Sequence, residues 1–351
     1  MPVDVGLARL SNDLIAGGIV GYSIAFLGFA LDAAFGEGFD KRSSAAAKPA
    51  AVPAQAPALV GATAARAPLG PGADDPLADE PRVTGAAGGS PSSEKFKLPR
   101  RIGLFAVGCT IVGWLLEGGA ILSRGLSVRR LPWGNMYEFT LALTFAAVGA
   151  FLVILTRQRA RFLGVFLMAP VVLALGLAVL VLYVPAAPLM PALHSYWLAI
   201  HVSAAILASG VFIVGTAATV MFLIADRYAS ASAAGKPVRF AALARMMPER
   251  DVLDRTAYRA YAFAFPIWTF AVIAGAIWAE YAWGHYWQWD PKETWAFITW
   301  IVYAGYLHAR ATAGWRGRKA AYVAMLGFAT IIFNFFIVNI FISGMHSYAG
   351  I

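Results

Sequence analysis

Five tryptophans and two tyrosines crowd eighteen residues late in the chain: Trp278-Ala-Glu-Tyr-Ala-Trp283-Gly-His-Tyr-Trp287-Gln-Trp289-Asp290-Pro-Lys-Glu-Thr-Trp295, with Trp300 soon after. An aromatic belt where hydrocarbon meets headgroups accounts for one or two rings per helix end. This density offers instead a broad π surface for a flat, apolar, polarisable ligand. The groups able to bind a metal are five histidines, His194, His201, His285, His308 and His346. Neutral imidazole is the usual axial ligand for the iron of haem, and haem has the shape the tryptophans ask for. The single cysteine, Cys109, lies in an apolar run, and there is no C-x-x-C. The chain therefore has neither a dithiol redox pair nor a cysteine zinc site of its own.

Part of the tryptophan segment is architectural. Asp290 stands where an N-cap belongs, Pro291 at N1 and Glu293 at N3, the pattern of a capping box. These two acids start a helix and aim the tryptophans, rather than acting as acid–base catalysts. Asn135 and Glu138 repeat the pattern before an earlier apolar run and take the same structural reading.

The elements that must carry these residues are membrane helices. Hydrophobic residues make up 60% of the 351 and charged ones 13%, about half the charged share of a soluble domain. The apolar residues come in long runs, at about 14–35, 102–123, 138–156, 162–183, 198–225, 260–280, 293–311 and 321–342, each near the length that crosses hydrocarbon. The fold expected is an all-α polytopic membrane protein with about eight transmembrane helices. Residues 1–35 form an N-terminal transmembrane helix with no basic n-region, retained rather than cleaved. Residues 36–99, rich in Ala and Pro, cannot bury enough surface to offset their ordering entropy and are expected to be a disordered cytoplasmic linker. Residues 100–351 form a second transmembrane domain, with 278–295 as its external tryptophan-rich segment.

Charge sets the orientation. The net charge of +9 does not indicate nucleic acid, because the basic residues sit in short loops between apolar runs. Arg157, Arg159 and Arg161 mark one loop as inside, as do seven Lys and Arg within 226–259 and four within 310–320; segments 184–200 and 343–351 have none. Both termini are therefore expected outside. His201 begins the fifth run and His346 follows the eighth, so both are expected on the outer face, level with the tryptophans. His308 lies 18 residues after Asp290, about 27 Å along a helix, near the inner leaflet. An ionisable residue inside a span is a functional candidate by default. His194 and His285 are expected to be auxiliary or solvent-facing. Arg124, Arg129 and Arg130 break the charge rule on the outer side; with Lys292 they are candidate partners for the two propionates of haem.

The run Trp283-Gly284-His285-Tyr286-Trp287-Gln288-Trp289-Asp290 reads W-G-x-x-W-x-W-D. Together with "SYWLAIHV" at the fifth run and "SGMHSYAG" after the eighth, it resembles the CcsA/ResC family of cytochrome c biogenesis proteins, called CcsB in some lineages, over roughly residues 100–351. The linker at 36–99 departs from that resemblance. The resemblance implies a subunit of a cytochrome c haem lyase in the plasma membrane, its active face external or periplasmic. It implies haem b as the bound group, His201 and His346 as external axial ligands, and Trp278, Trp283, Trp287, Trp289 and Trp295 as the aromatic platform. It further implies that His308 ligates haem within the bilayer, the second histidine coming from a ResB-type partner. An apocytochrome c bearing C-x-x-C-H would receive the haem, its thiols kept reduced by a thioredoxin-like protein. Haem exporters or chaperones of the CcmC and CcmF type share the tryptophan signature and stay open as an alternative. A secondary transporter would show Gly/Pro-broken helix pairs in two matching halves, which are not found, and a haem electron carrier would pair histidines between spans.

Overall fold

The computed structural model describes residues 3–35, 97–157, 160–188, 195–236 and 247–346. Among them there is no strand and there are eight long helices. These are α1 (Val5–Phe35), α2 (Lys97–Val128), α3 (Met136–Arg157), α4 (Leu163–Leu180), α5 (Tyr196–Ala233), α6 (Arg250–Trp283), α7 (Pro291–Thr312) and α8 (Arg318–Ile332). The last continues through a π turn, Phe333–Val338, to Phe341. Seven of the eight, all but α7, are long and apolar enough to cross a membrane. The chain is an all-α polytopic membrane protein.

Helix α7 is 22 residues long but less apolar, because Trp295, Trp300, Tyr303, Tyr306, His308 and Arg310 stand where aliphatic residues would. It still runs the length of the bundle. Its start is bonded to the segment beyond α8 through Asp290 and His346. Its far end is bonded to the start of α6, Arg310 meeting Asp254 at 2.7 Å. Tyr303 and Tyr306 are buried in an aromatic core, where Tyr303 stacks on Phe212 at 4.1 Å and Tyr261 packs against both tyrosines. Packing, rather than intrinsic apolarity, holds this helix.

The helices outrun the apolar stretches that announce them. α5, expected over 198–225, extends to Ala233, and α6, expected from 260, begins at Arg250. Hydropathy marks the hydrocarbon, whereas a nucleated helix propagates past it at little cost. Ion pairs then accommodate the charged turns: Asp226 of α5 accepts Arg250 of α6 at 2.8 Å and also Arg318 of α8. α2 begins at Lys97, so the last three residues of the expected linker are helical; 36–96 lie outside the described residues.

α1 packs antiparallel to α2 at close range. A Cβ on Gly21 would come within 3.3 Å of the Gly113 Cα, the small-residue contact that lets membrane helices approach. Between them the Tyr22 hydroxyl donates to the buried Glu117 carboxylate at 2.6 Å, and Thr144 of α3 donates to its other oxygen at 2.7 Å. One end of α1 is fixed where the Asp4 N–H donates to the Ser127 carbonyl, and the other where Arg161 meets Asp32. Both ends of the described chain therefore lie at one end of the bundle, beside His201 and His346.

Candidate functional site

Helix α5 starts on Ser195, whose hydroxyl accepts the Trp197 N–H at 3.2 Å, and this sets His201 in the second turn. The His201 ring lies on α6 where Gly275 leaves room: a Cβ there would sit 2.6 Å from the ring. Its Nδ1 is 2.7 Å from the Ala271 carbonyl. A carbonyl can only accept, so Nδ1 carries the proton and Nε2 the lone pair able to bind a metal. Trp278, one turn further along α6, lies nearly parallel to the imidazole, 9° between planes and 6.2 Å between centroids.

His346 is held by the start of α7. The Asp290 carboxylate caps that helix, taking the Lys292 N–H at 3.1 Å, while Glu293 reaches back to the Asp290 N–H at 3.2 Å. The same carboxylate accepts the Met345 N–H at 2.6 Å and the His346 Nδ1–H at 2.8 Å. Gly344 permits this approach, because a Cβ there would lie 2.5 Å from Asp290 Oδ1. Burial disfavours charge on Asp290, but the bonds from His346, Met345 and Lys292 outweigh it and hold its carboxyl below the usual carboxylate range. In His346, as in His201, an acceptor on Nδ1 leaves Nε2 as the coordinating atom, the arrangement metal-binding histidines adopt. Trp278 and Trp283 set their edges against His346 at 5.7 and 5.0 Å. Trp278 thus touches both histidines.

Both imidazoles line one cavity that opens at its mouth to the outside of the bundle. One wall is the start of α3, from Trp133 to Met136 with Phe139; another is α5 and α6, with Val202, Trp268 and Val272; the third is Trp287, Lys292 and Phe335. The lining is mainly apolar with a few polar atoms. Two of the lining residues, Trp133 and Asn334, each keep a buried polar atom, Nε1 and Oδ1, without a protein partner. Two Nε2-presenting imidazoles, an apolar space and an adjacent ammonium fit the demands of an iron porphyrin bearing acidic side chains.

A family model described as "Cytochrome C assembly protein" matches residues 133–346, a span that begins at the first cavity wall and ends at His346. The chain is 34% identical over 267 residues to the cytochrome c biogenesis protein CcsA of Guillardia theta, covering 72% of this chain and 88% of that protein. It is 34% identical over 294 residues to CcsA of Microcystis aeruginosa, and 33% over 304 residues to CcsA of a Picosynechococcus species. Each of these two alignments covers 72% of this chain and 89% of the relative. The chain belongs to the CcsA family. Its process is cytochrome c biogenesis, and haem handling goes with membership.

In this CcsA-family chain the five tryptophans do not form one platform. Trp287 lines the cavity; Trp278, 1% exposed, is packed behind the two histidines. Trp283 backs His346, and Trp295 stacks on Phe333 at 3.9 Å, joining α7 to α8. Trp289, exposed and with a left-handed φ of 58°, forms an aromatic patch with Trp287 and Phe297. The arginines expected to meet propionates are a correction. Arg124 and Arg130 each lie 2.8 Å from Glu138, whose side chain is fully buried. A buried carboxylate requires such partners. They also bond the carbonyls of Val184 and Ala187, and neither lines the cavity, nor does Arg129. Glu138 also takes the Gly134 N–H, while Asn135 caps α3 by accepting the Glu138 N–H at 2.9 Å. The cluster therefore braces the first wall. His308 is exposed on α7, far from the cavity; His285 lies beside Trp283 and outside the cavity lining; His194 falls outside the described residues.

Sequence reasoning missed the first wall as part of the site. The signal was available: Trp133-Gly-Asn135-Met-Tyr-Glu138 echoes Trp289-Asp290-Pro-Lys-Glu293, a tryptophan followed by a cap and an acid three residues on. The Ala271 carbonyl and Gly275 carry no such mark.

Proposed function

We propose that this CcsA-family chain holds haem b between His201 and His346 on the external, periplasmic face of the plasma membrane. There it presents haem to an apocytochrome c bearing C-x-x-C-H. The observation that carries this reading is a single one: two imidazoles, each with Nδ1–H donated to a fixed acceptor, line the same cavity. In this reading Asp290 fixes the tautomer and orientation of His346, and Ala271 does the same for His201. The apolar walls would give the macrocycle a largely apolar setting, and Trp287 would offer it a ring to pack on. The chain contributes mostly position, which raises the effective concentration of the reacting partners. Each cysteine thiol adds across a vinyl group, forming a C–S bond while its proton goes to the neighbouring carbon, so no net oxidation is required. A thioredoxin-like protein keeps those thiols reduced.

We further propose that His308 ligates haem within the bilayer together with a histidine of a ResB-type partner. Its exposure on the outside of α7 supports this, since an ionisable side chain facing lipid calls for a companion.

The test uses the full chain, purified with its companion subunit. His201→Gly or His346→Gly is expected to remove the outer haem's share of the absorbance, which added imidazole restores. Unchanged spectra with full cytochrome maturation would overturn the ligand assignment.

A further inference from the structure

Lys292 is the second residue of α7, and its side chain lines the cavity with His201 and His346. Three features make its position costly for a cation. It is mostly buried. It stands at the positive end of the helix dipole, where an anion is favoured. And it enters none of the ion pairs found among the described residues. The comparably buried bases differ: Arg124, Arg130 and Arg310 each have a carboxylate within 2.8 Å. The acids nearest in sequence are already engaged, Asp290 with Met345 and His346, and Glu293 with the N–H groups of Gln288 and Asp290. An ammonium has three donors, and here the partner is a neutral amide, Asn339 Oδ1.

The π turn of α8 explains how that amide gets there. At 3.6 residues per turn, residues five apart lie about 140° round a helix. A π turn, bonded i to i+5, brings them nearly into line. Asn334 and Asn339 are five apart across Phe333–Val338, and both reach Lys292: Asn334 Nδ2 donates to its carbonyl at 3.3 Å and Asn339 takes its ammonium. Asn334, only 7% exposed, is also a lining residue of the cavity, and its Oδ1 is buried without a protein partner.

We propose that Lys292, positioned by Asn339 on this π turn, binds a carboxylate of the cavity's ligand. The proposal rests on the reading of the cavity as a haem site and adds a specificity to it. Two axial imidazoles leave a planar macrocycle free to turn about the axis that joins them. An anchored carboxylate off that axis removes the freedom and decides which edge of the ring faces the incoming thiols.

The experiment titrates the purified full chain with haem and with haem dimethyl ester, whose carboxylates are masked, following the visible spectrum. The wild type is expected to prefer haem on the order of tenfold or more, the worth of a charge-assisted hydrogen bond. Lys292→Met should bind haem only as tightly as the ester while leaving ester binding unchanged, Lys292→Arg should keep most of the preference, and Asn339→Leu should lose part of it. Equal affinity of the wild type for both compounds, or a Lys292→Met variant that weakens both alike, overturns the proposal. His201→Gly separates the two levels. If it leaves binding of both compounds intact, the haem-site reading itself falls. If it abolishes binding while Lys292→Met keeps the preference for haem, only the role of Lys292 falls.

Discussion

At the scale of residues, the site depends on two glycines as much as on two histidines. A methyl on Gly275 meets the His201 ring at 2.6 Å, and the ring has little freedom because Nδ1 is tied to Ala271. Gly275→Ala is expected to weaken haem retention by roughly tenfold or more, the usual cost of disturbing a ligand's orienting contacts. Gly305→Ala on α7, where a Cβ meets nothing within 4 Å, should leave the spectrum unchanged. Asp290 is the other lever. Its folded-state carboxyl lies below its ordinary range, so its grip on Met345 and His346 is fully present above the unfolded pKa of about 3.9. That contribution fades only as pH falls through the lower folded value. The difference in melting temperature between wild type and Asp290→Asn should therefore shrink only below about pH 4. The histidines and Asp290 stand out in the sequence by type and spacing. The glycines and the Ala271 carbonyl do not, because their importance lies in what another helix brings against them.

At the scale of elements, the two capped helix starts behave as matched halves of the cavity. Glu138 holds Arg124, Arg130 and the Gly134 N–H, and through them the wall from Trp133 to Met136. Glu138→Gln is expected to cost about 3–5 kcal/mol, as when one partner of a buried ion pair is removed, read as a fall in melting temperature with loss of bound haem. The π turn is the second device. Inserting one residue after Phe336 should turn Asn339 by about 100°, off the face it shares with Asn334 and away from Lys292. The preference for haem over its dimethyl ester should be lost while the protein still purifies as a folded monodisperse species. Hydropathy and capping residues make the existence of all eight helices readable. It does not reveal the π turn, whose residues Phe333-Asn-Phe-Phe-Ile-Val338 have an ordinary helical composition, nor the charged overhangs of α5 and α6, which ion pairs between helices stabilise. Nor does a dense string of tryptophans say which ring faces a ligand and which faces core.

At the scale of the whole molecule, the described termini and the cavity share one end of the bundle, and the Asp226–Arg250–Arg318 and Asp254–Arg310 pairs occupy the other. In the orientation proposed above from loop charge, the second end faces the cytoplasm. In intact cells an impermeant thiol reagent should reach Val3→Cys and Ser343→Cys from the same side and fail to reach Gly314→Cys from that side. Labelling of Gly314→Cys alone would reverse the orientation, and labelling of all three would overturn it. The number of long apolar helices was accessible from the apolar runs. The assignment of Arg124 and Arg130 was not, since a charge in an outer loop does not announce the acid, buried eight to fourteen residues on, that claims it.

Helix α7 is too rich in rings and polar groups to partition into lipid unaided, yet it carries the cap, the lysine and the exposed histidine. Its neighbours must already be threaded before it can settle among them. Its insertion is therefore expected to depend on α6 and α8, and destabilising either should leave α7 loose between correctly inserted flanks.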